Sequence, residues 1–284
     1  RSEMAPLRIR TMGSADMAQA IEWAAQEGWN PGLHDGQTFH AADPEGFLVG
    51  EQGGRPVAAI SVVRYGTGAG FLGLYIVLPD VRGQGLGWQL WQAGMARLAG
   101  RQVGLDGVPA QQANYRKSGF RMAWRNARYE GRGLAGAAID PRIVPLDSLP
   151  FETVRGYDAP FFPDDRAQFL RDWIAQPQAC ALGFVNNGSL QGYGLVRPCR
   201  SGHKIGPLFA DSEAAAQALY LALATSVPAQ DPLYLDIAEP NAAALALARR
   251  HGMTKVFETA RMYTGSPPVL PLDRMYGITS FELG

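Results

Sequence analysis

Cysteine is scarce in this chain of 284 residues: there are two, Cys180 and Cys199. Neither stands at metal-ligand spacing, and both read as ordinary reduced thiols of a cytoplasmic protein. Histidine is almost as sparse. His34, His40, His203 and His251 are scattered and make no zinc or triad pattern, so metal catalysis and Ser–His–Asp chemistry lack support. Net charge is missing too, with 26 Lys plus Arg against 26 Asp plus Glu. That balance gives no electrostatic reason to expect nucleic acid or an anionic membrane as partner. No run approaches the roughly 18 apolar residues that cross a bilayer. No basic-then-apolar leader opens the chain either; "RSEM" reads as a foreign remnant before Met4. What is present is a globular composition, 46% hydrophobic and 18% charged, with material for a substantial core. The length suits one large domain or two ordinary ones.

Self-similarity favours two. "AISVVRYG" (59–66) has a counterpart in "GYGLVRPC" (192–199), and "LYIVLPD" ending at Asp80 corresponds to "KIGPLFAD" ending at Asp211. "GLDGVP" (104–109) echoes "YLDIAEP" (234–240), and "GFRMAWRNARYEG" from Gly119 matches "GMTKVFETARMYTG" from Gly252. Four matches in one order, at offsets near 133 residues, indicate two copies of one fold. The expected division is 1–133 for the first copy, a Gly- and Pro-bearing linker over 134–150, and 151–284 for the second.

Each copy reads as mixed α/β. Residues 15–28 predict an amphipathic helix with Met17, Ile21 and Ala24 on one face. "GFLVGEQGGRPVAAISVVRYG" predicts a hairpin about its Gly-Gly turn, and a further strand follows near 70–78. Leu86, Leu90, Gly94 and Leu98 recur every four residues, a helix stripe that faces a sheet. "VGLDGV" is the next strand, 110–118 a short helix and "RMAWRNARYE" a closing strand.

Between strand and helix lies "VRGQGLGWQLW" (81–91). A strand that turns on glycines into a helix leaves free amides at the positive end of the helix dipole, an anion site that phosphate oxygens can approach closely. Arg82 adds a fork of donors suited to phosphate. A Rossmann fingerprint fails, since counting from Gly83 and Gly85 its third glycine is Trp88, and no lysine supports a Walker A loop.

The segment resembles the acetyl-CoA loop of the GNAT N-acetyltransferase superfamily, Q/R-x-x-G-x-G/A, here Arg82-Gly-Gln-Gly85-Leu-Gly87. "YIVLPDVRG" is similar to that family's strand exit and "YRKSGF" (115–120) to its Y-x-x-x-G-F close, together about half of the first copy. The two-copy plan, with "IGPLFAD" and a final "TSFELG", also resembles a bacterial tandem GNAT group. The resemblance implies two GNAT-like domains, each a splayed, mostly antiparallel sheet flanked by helices. It further implies that backbone at Tyr75, Ile76 and Val77 pairs with pantetheine, and that Arg82, Gly83, Gln84, Gly85, Leu86, Gly87 and Trp88 hold the pyrophosphate of acetyl-CoA.

By the same resemblance Tyr115 matches the family's general acid; the alternative is a core tyrosine on a short helix. Two family positions are missing. The strand before the loop carries Phe71, Gly73 and Tyr75 where many members have a glutamate, and Val108 replaces an asparagine. Asp106, on the next strand, is a candidate base, although a structural hydrogen-bond partner is the reading we prefer. Trp29, Asp35 and Tyr65 are candidates for an aromatic and acidic pocket for an ammonium substrate; the alternative is a surface loop with one packed tryptophan.

The second copy has "FADSEAAAQAL" (209–219) at its strand-to-helix junction, with Ala248 in place of the tyrosine but Asn241 in place of Val108. Asp211 or Ser212 is expected to cap the helix and to leave no anion site. The sequence therefore predicts an acetyl-CoA-dependent N-acetyltransferase for a small-molecule primary amine, with one active copy and no metal, as a monomer or homodimer. The competing expectation is a CoA-binding sensor or interaction module without turnover.

Overall fold

The computed structural model describes residues 5–284; the "RSEM" stretch lies outside them. The chain begins with β1 (Leu7–Thr11), α1 (Ser14–Gln26) and α2 (Asp35–Ala42). The expected hairpin follows as β2 (Phe47–Gln52) and β3 (Arg55–Tyr65), then β4 (Ala69–Val77), α3 (Leu86–Arg97) and β5 (Gln102–Gly107). A short α4 (Gln112–Lys117) leads into β6 (Phe120–Arg132). The second copy repeats the plan with β7 (Ile143–Pro145), α5 (Phe151–Asp158), α6 (Ala167–Trp173), β8 (Cys180–Asn186) and β9 (Ser189–Pro198). It continues through β10 (His203–Ala210), α7 (Glu213–Thr225), β11 (Pro232–Ala238), α8 (Ala242–Arg250), β12 (Thr254–Thr264) and β13 (Met275–Gly277).

The stripe on α3 packs as its spacing requires. Leu86, Leu90, Gly94 and Leu98 are buried against β3 and its neighbours, and a Cβ at Gly94 would press on Val62 at 2.9 Å. Burying a leucine such as Leu90 contributes roughly 1.5–3 kcal/mol. Residues 134–150 are not all linker: β7 pairs with β8, and Leu146 is buried.

All the strands of the described residues join one sheet, and the copies exchange their closing strands. The order is β1-β2-β3-β4-β5-β12-β6-β11-β10-β9-β8-β7, with β13 beside β10. Thus β12 closes the first copy against β5, and β6 closes the second against β11. Where β6 meets β12, Asn126 stands opposite Thr259, its counterpart at the 133-residue offset, so a pseudo-two-fold axis passes through this pair. Two buried ion pairs follow the same symmetry. Asp106 on β5 pairs with Arg261 on β12, and Asp236 on β11 pairs with Arg128 on β6.

The sheet also splays where the resemblance implies. Parallel pairing of β4 with β5 runs from Ala69–Gln102 to Leu72–Leu105 and stops there. Beyond that point Leu74 and Tyr75 together oppose Ile60 in a bulge, with Leu74 at φ 46°. A bulge bends and twists its strand, and here it turns the rest of β4 away from β5. The edge from Gly73 to Val77 that faces β5 is left open. In the second copy the matching divergence of β10 from β11 is filled by β13, which pairs with Leu208 and Phe209.

Candidate active site

The open edge of β4 forms one wall of a cavity of about 510 Å³. Tyr75, Ile76 and Val77 line it, as do Asp106, Val108 and Tyr115. At its mouth Val77 and Arg82 are shared with a shallower depression of about 220 Å³, floored by Gly83, Gly85, Leu86, Gly87 and Trp88. Gly83 and Gly85 sit at φ 81° and 77°, with nothing near the position of an added Cβ. Only glycine adopts this left-handed backbone without strain. The amides that open α3 precede its first intrahelical bond, from Gln89 N to Gly85 O, and no acidic residue occupies that turn. These features suit an anion such as a phosphate, and the depression opens beside the exposed edge of β4.

Arg82 is already engaged. Its Nε donates to the Val77 carbonyl at 2.8 Å and its Nη2 to Glu27 at 2.9 Å, which ties the loop to the end of β4. Gln84 lines neither depression, and its Oε1 is buried without a protein partner. Trp88 is 56% exposed.

Tyr115 lines the cavity, its ring against Gly107 and stacked on Trp91 at 5.5 Å. Burial pushes its phenol well above the ordinary value, with Tyr75 adding to the effect, so the group is protonated throughout the neutral range. Tyr75 is pushed up to about 12 by burial alone. Asp106 is saturated with donors: Asn126 at 2.7 Å and Thr259 at 2.9 Å on one oxygen, Arg261 at 2.8 Å on the other. It is a buried structural acceptor, which agrees with the preferred reading of its sequence position.

The three substrate candidates do not come together. Trp29 lines the cavity, but Asp35 and Tyr65 do not. Asp35 is fully buried in a bidentate pair with Arg197, and the Tyr65 hydroxyl donates to the Leu283 carbonyl at 3.0 Å. Both hold the copies together, so the pocket expected from Trp29, Asp35 and Tyr65 is corrected to one built on Trp29 alone of the three. The second half of the chain supplies a further wall: Phe257 and Thr259 on β12, with Phe281 and Glu282 beyond β13. The sequence offered one pointer to the last two, the "TSFELG" segment, and none to the exchange of β12.

At the second junction Ser212 caps α7, its Oγ accepting from Ala215 N at 3.1 Å, while Asp211 pairs with Arg274. Asn241 caps α8 and donates to the Met275 carbonyl at 3.0 Å, so it anchors β13.

The comparisons agree with this geometry. The profile described as "Acetyltransferase (GNAT) family" matches residues 15–120, and "Acetyltransferase (GNAT) domain" matches 154–277. The chain is 31% identical over 265 residues to "Holothin acyltransferase" of Pseudoalteromonas sp. (strain SANK 73390), covering 93% of this chain and 90% of that protein. A putative acetyltransferase from Pyrococcus horikoshii superposes with TM-score 0.84 at 23% identity, over 100% of this chain and 99% of that one. A tandem GNAT protein from the clavulanic acid biosynthesis pathway gives TM-score 0.63 at 16% identity, over 93% and 100%. A splayed sheet with an amide-lined helix start defines an acyl-transferring enzyme of the α/β class. The chain belongs to the GNAT acetyltransferase family, as a tandem of two GNAT units. No helix among the described residues is long and apolar enough to cross a membrane.

Proposed function

We propose that the protein transfers an acetyl or other short acyl group from acyl-CoA to a primary amine of a small molecule, by direct attack in a ternary complex. One observation carries the reading: the edge of β4 left open beyond Leu72 lines a cavity that also contains Tyr115, and that cavity adjoins, through Val77 and Arg82, the depression at the free amides that start α3. The open edge at Tyr75–Val77 is suited to hydrogen-bond the pantetheine amides. The amides from Gly83 to Trp88 would hold the pyrophosphate. Acyl-CoA supplies an activated thioester. Tyr115 donates its phenolic proton toward the departing sulfur; burial weakens it as an acid but raises the thiol it serves in the same direction. Trp29 and Phe257 give the acceptor an aromatic wall. No second chain is needed, since the tandem already pairs two copies, and the cytoplasm, where acyl-CoA is available, is the proposed location.

Only the first copy takes acyl-CoA in this reading. In the second, β13 pairs with Leu208 and Phe209 on β10, the strand that corresponds to β4, and the capped α7 offers no comparable free amides. The test is calorimetric titration of the full chain with acetyl-CoA, followed by thiol release on a panel of primary amines and on holothin, the compound in the relative's name. A stoichiometry near one and release with at least one acceptor are expected. A stoichiometry near two overturns the one-site reading. Binding with no release on any acceptor, for acetyl-CoA and longer acyl-CoAs alike, makes the protein a CoA-binding sensor instead.

A further inference from the structure

An amine becomes a nucleophile only after losing a proton, since alkylammonium groups titrate near 10. The cavity is lined by three carboxylates: Glu27, Asp106 and Glu282. Glu27 is at the mouth in an ion pair with Arg82, and Asp106 has its oxygens filled by Asn126, Thr259 and Arg261. Glu282 is different. Its residue is 4% exposed, it lines the cavity, and it makes no side-chain hydrogen bond or ion pair with the described residues.

Its position is built by the path of the chain. After β13 the segment crosses from the second copy to the first. Ile278 N donates to Asp236 O, the Ser280 carbonyl accepts from Arg261, and the Leu283 carbonyl accepts from Tyr65. A Cβ at Gly73 would overlap the carbonyl of Glu282, so glycine on β4 is what admits this segment. The charges around Glu282 come from four elements: Lys204 on β10, Arg128 on β6, Arg197 on β9 and Asp35 on α2. Arg128 and Arg197 have their own carboxylates in Asp236 and Asp35, whereas the Lys204 ammonium bonds only the Asn30 carbonyl, at 2.7 Å. Glu282 is therefore the counter-charge this group of buried cations lacks. Burial raises its carboxyl above the ordinary glutamate value against the pull of Lys204 and the arginines, which makes it a stronger base than an exposed one.

Building on the acyl-transfer reading, we propose that Glu282, carried into the first copy's cavity from beyond β13, is the catalytic base that takes the proton from the acceptor amine. The amine nitrogen forms the C–N bond as the C–S bond of acyl-CoA breaks. The ammonium proton passes to the Glu282 carboxylate before attack; as the bonds exchange, the departing sulfur takes the Tyr115 proton, and the second nitrogen proton returns through solvent to the Tyr115 phenolate.

The test uses the full chain, acetyl-CoA, and holothin alongside the amine panel. Glu282→Gln, nearly isosteric, is expected to lower kcat at least a hundredfold while acetyl-CoA affinity stays within twofold. Glu282→Asp should recover part of the rate. Beyond the acid-side fall that protonation of the amine imposes on any variant, the wild-type kcat/KM should show a further loss as Glu282 takes up a proton, and Glu282→Gln should lack that further limb. Turnover by Glu282→Gln within threefold of wild type, with the limb intact, overturns the assignment and leaves the transferase reading standing. A wild-type protein that binds acetyl-CoA yet acylates no acceptor overturns that reading and this role with it.

Discussion

The phenol of Tyr115 is placed by packing rather than by hydrogen bonds. Gly107 leaves room for the ring, with an added Cβ only 2.9 Å from its Cδ2, and Trp91 stacks on it. Tyr115→Phe therefore preserves the contacts and removes only the proton. It should lower kcat at least tenfold, within the range of about 10²–10⁴-fold for acid–base groups, with acetyl-CoA affinity unchanged by calorimetry. Full thiol release by the variant would make Tyr115 a packing residue alone. The loop glycines and Tyr115 were legible in the sequence because their spacing is local. Asp35 and Tyr65 were misplaced because a polar side chain near a pocket looks the same whether it faces substrate or a distant partner. Arg197 and Leu283, which decide the matter, lie far along the chain. Glu282 was hidden for the same reason.

At the scale of elements, the junction of β4 with α3 combines two requirements on Gly85: a left-handed backbone and an unobstructed helix start. These can be separated. Asparagine tolerates the left-handed region better than most residues and carries no charge, whereas aspartate adds a negative charge beside the proposed pyrophosphate. Gly85→Asp should weaken acetyl-CoA binding at least a hundredfold in calorimetry, and Gly85→Asn considerably less, with melting temperatures close to each other. Equal affinities for the two would remove charge from the account of this loop. The strands and the α3 stripe followed their periodicity, but α2 did not. "DGQTFHAA" has no helical stripe in the sequence, yet it is a helix because Phe39 stacks on Trp173 at 6.0 Å and Asp35 reaches Arg197. Tertiary contacts of that kind outweigh weak local propensity. The short β13, three residues directly after a 3-10 turn, has no periodicity to read.

At the scale of the molecule, the repeat announced two copies but gave no sign that they trade strands, since β6 and β12 have the same pattern and either could close either sheet. The exchange makes each copy's sheet depend on the other, and buried ion pairs fasten it. Among these Asp35–Arg197 joins α2 to β9 across the copies, with side chains 0% and 1% exposed. Burial pushes the Asp35 carboxyl upward, but Arg197, with Lys204 and the Gly32 amide, outweighs it and holds the group below the ordinary aspartate value. Removing one partner of such a pair strands the other charge and typically costs about 3–5 kcal/mol. Asp35→Asn should therefore lower unfolding free energy by about that amount at pH 7, measured by urea denaturation. The sign of the pH dependence follows from the depressed value. Wild-type stability from this group is fully present above the unfolded aspartate pKa of about 3.9 and is lost as pH falls through the lower folded value. The gap between wild type and Asp35→Asn should accordingly be widest near neutrality and narrow below about pH 4. Equal stability of the two proteins at pH 7, or a gap that widens in acid, would show that the copies are held together by the exchanged strands without this pair.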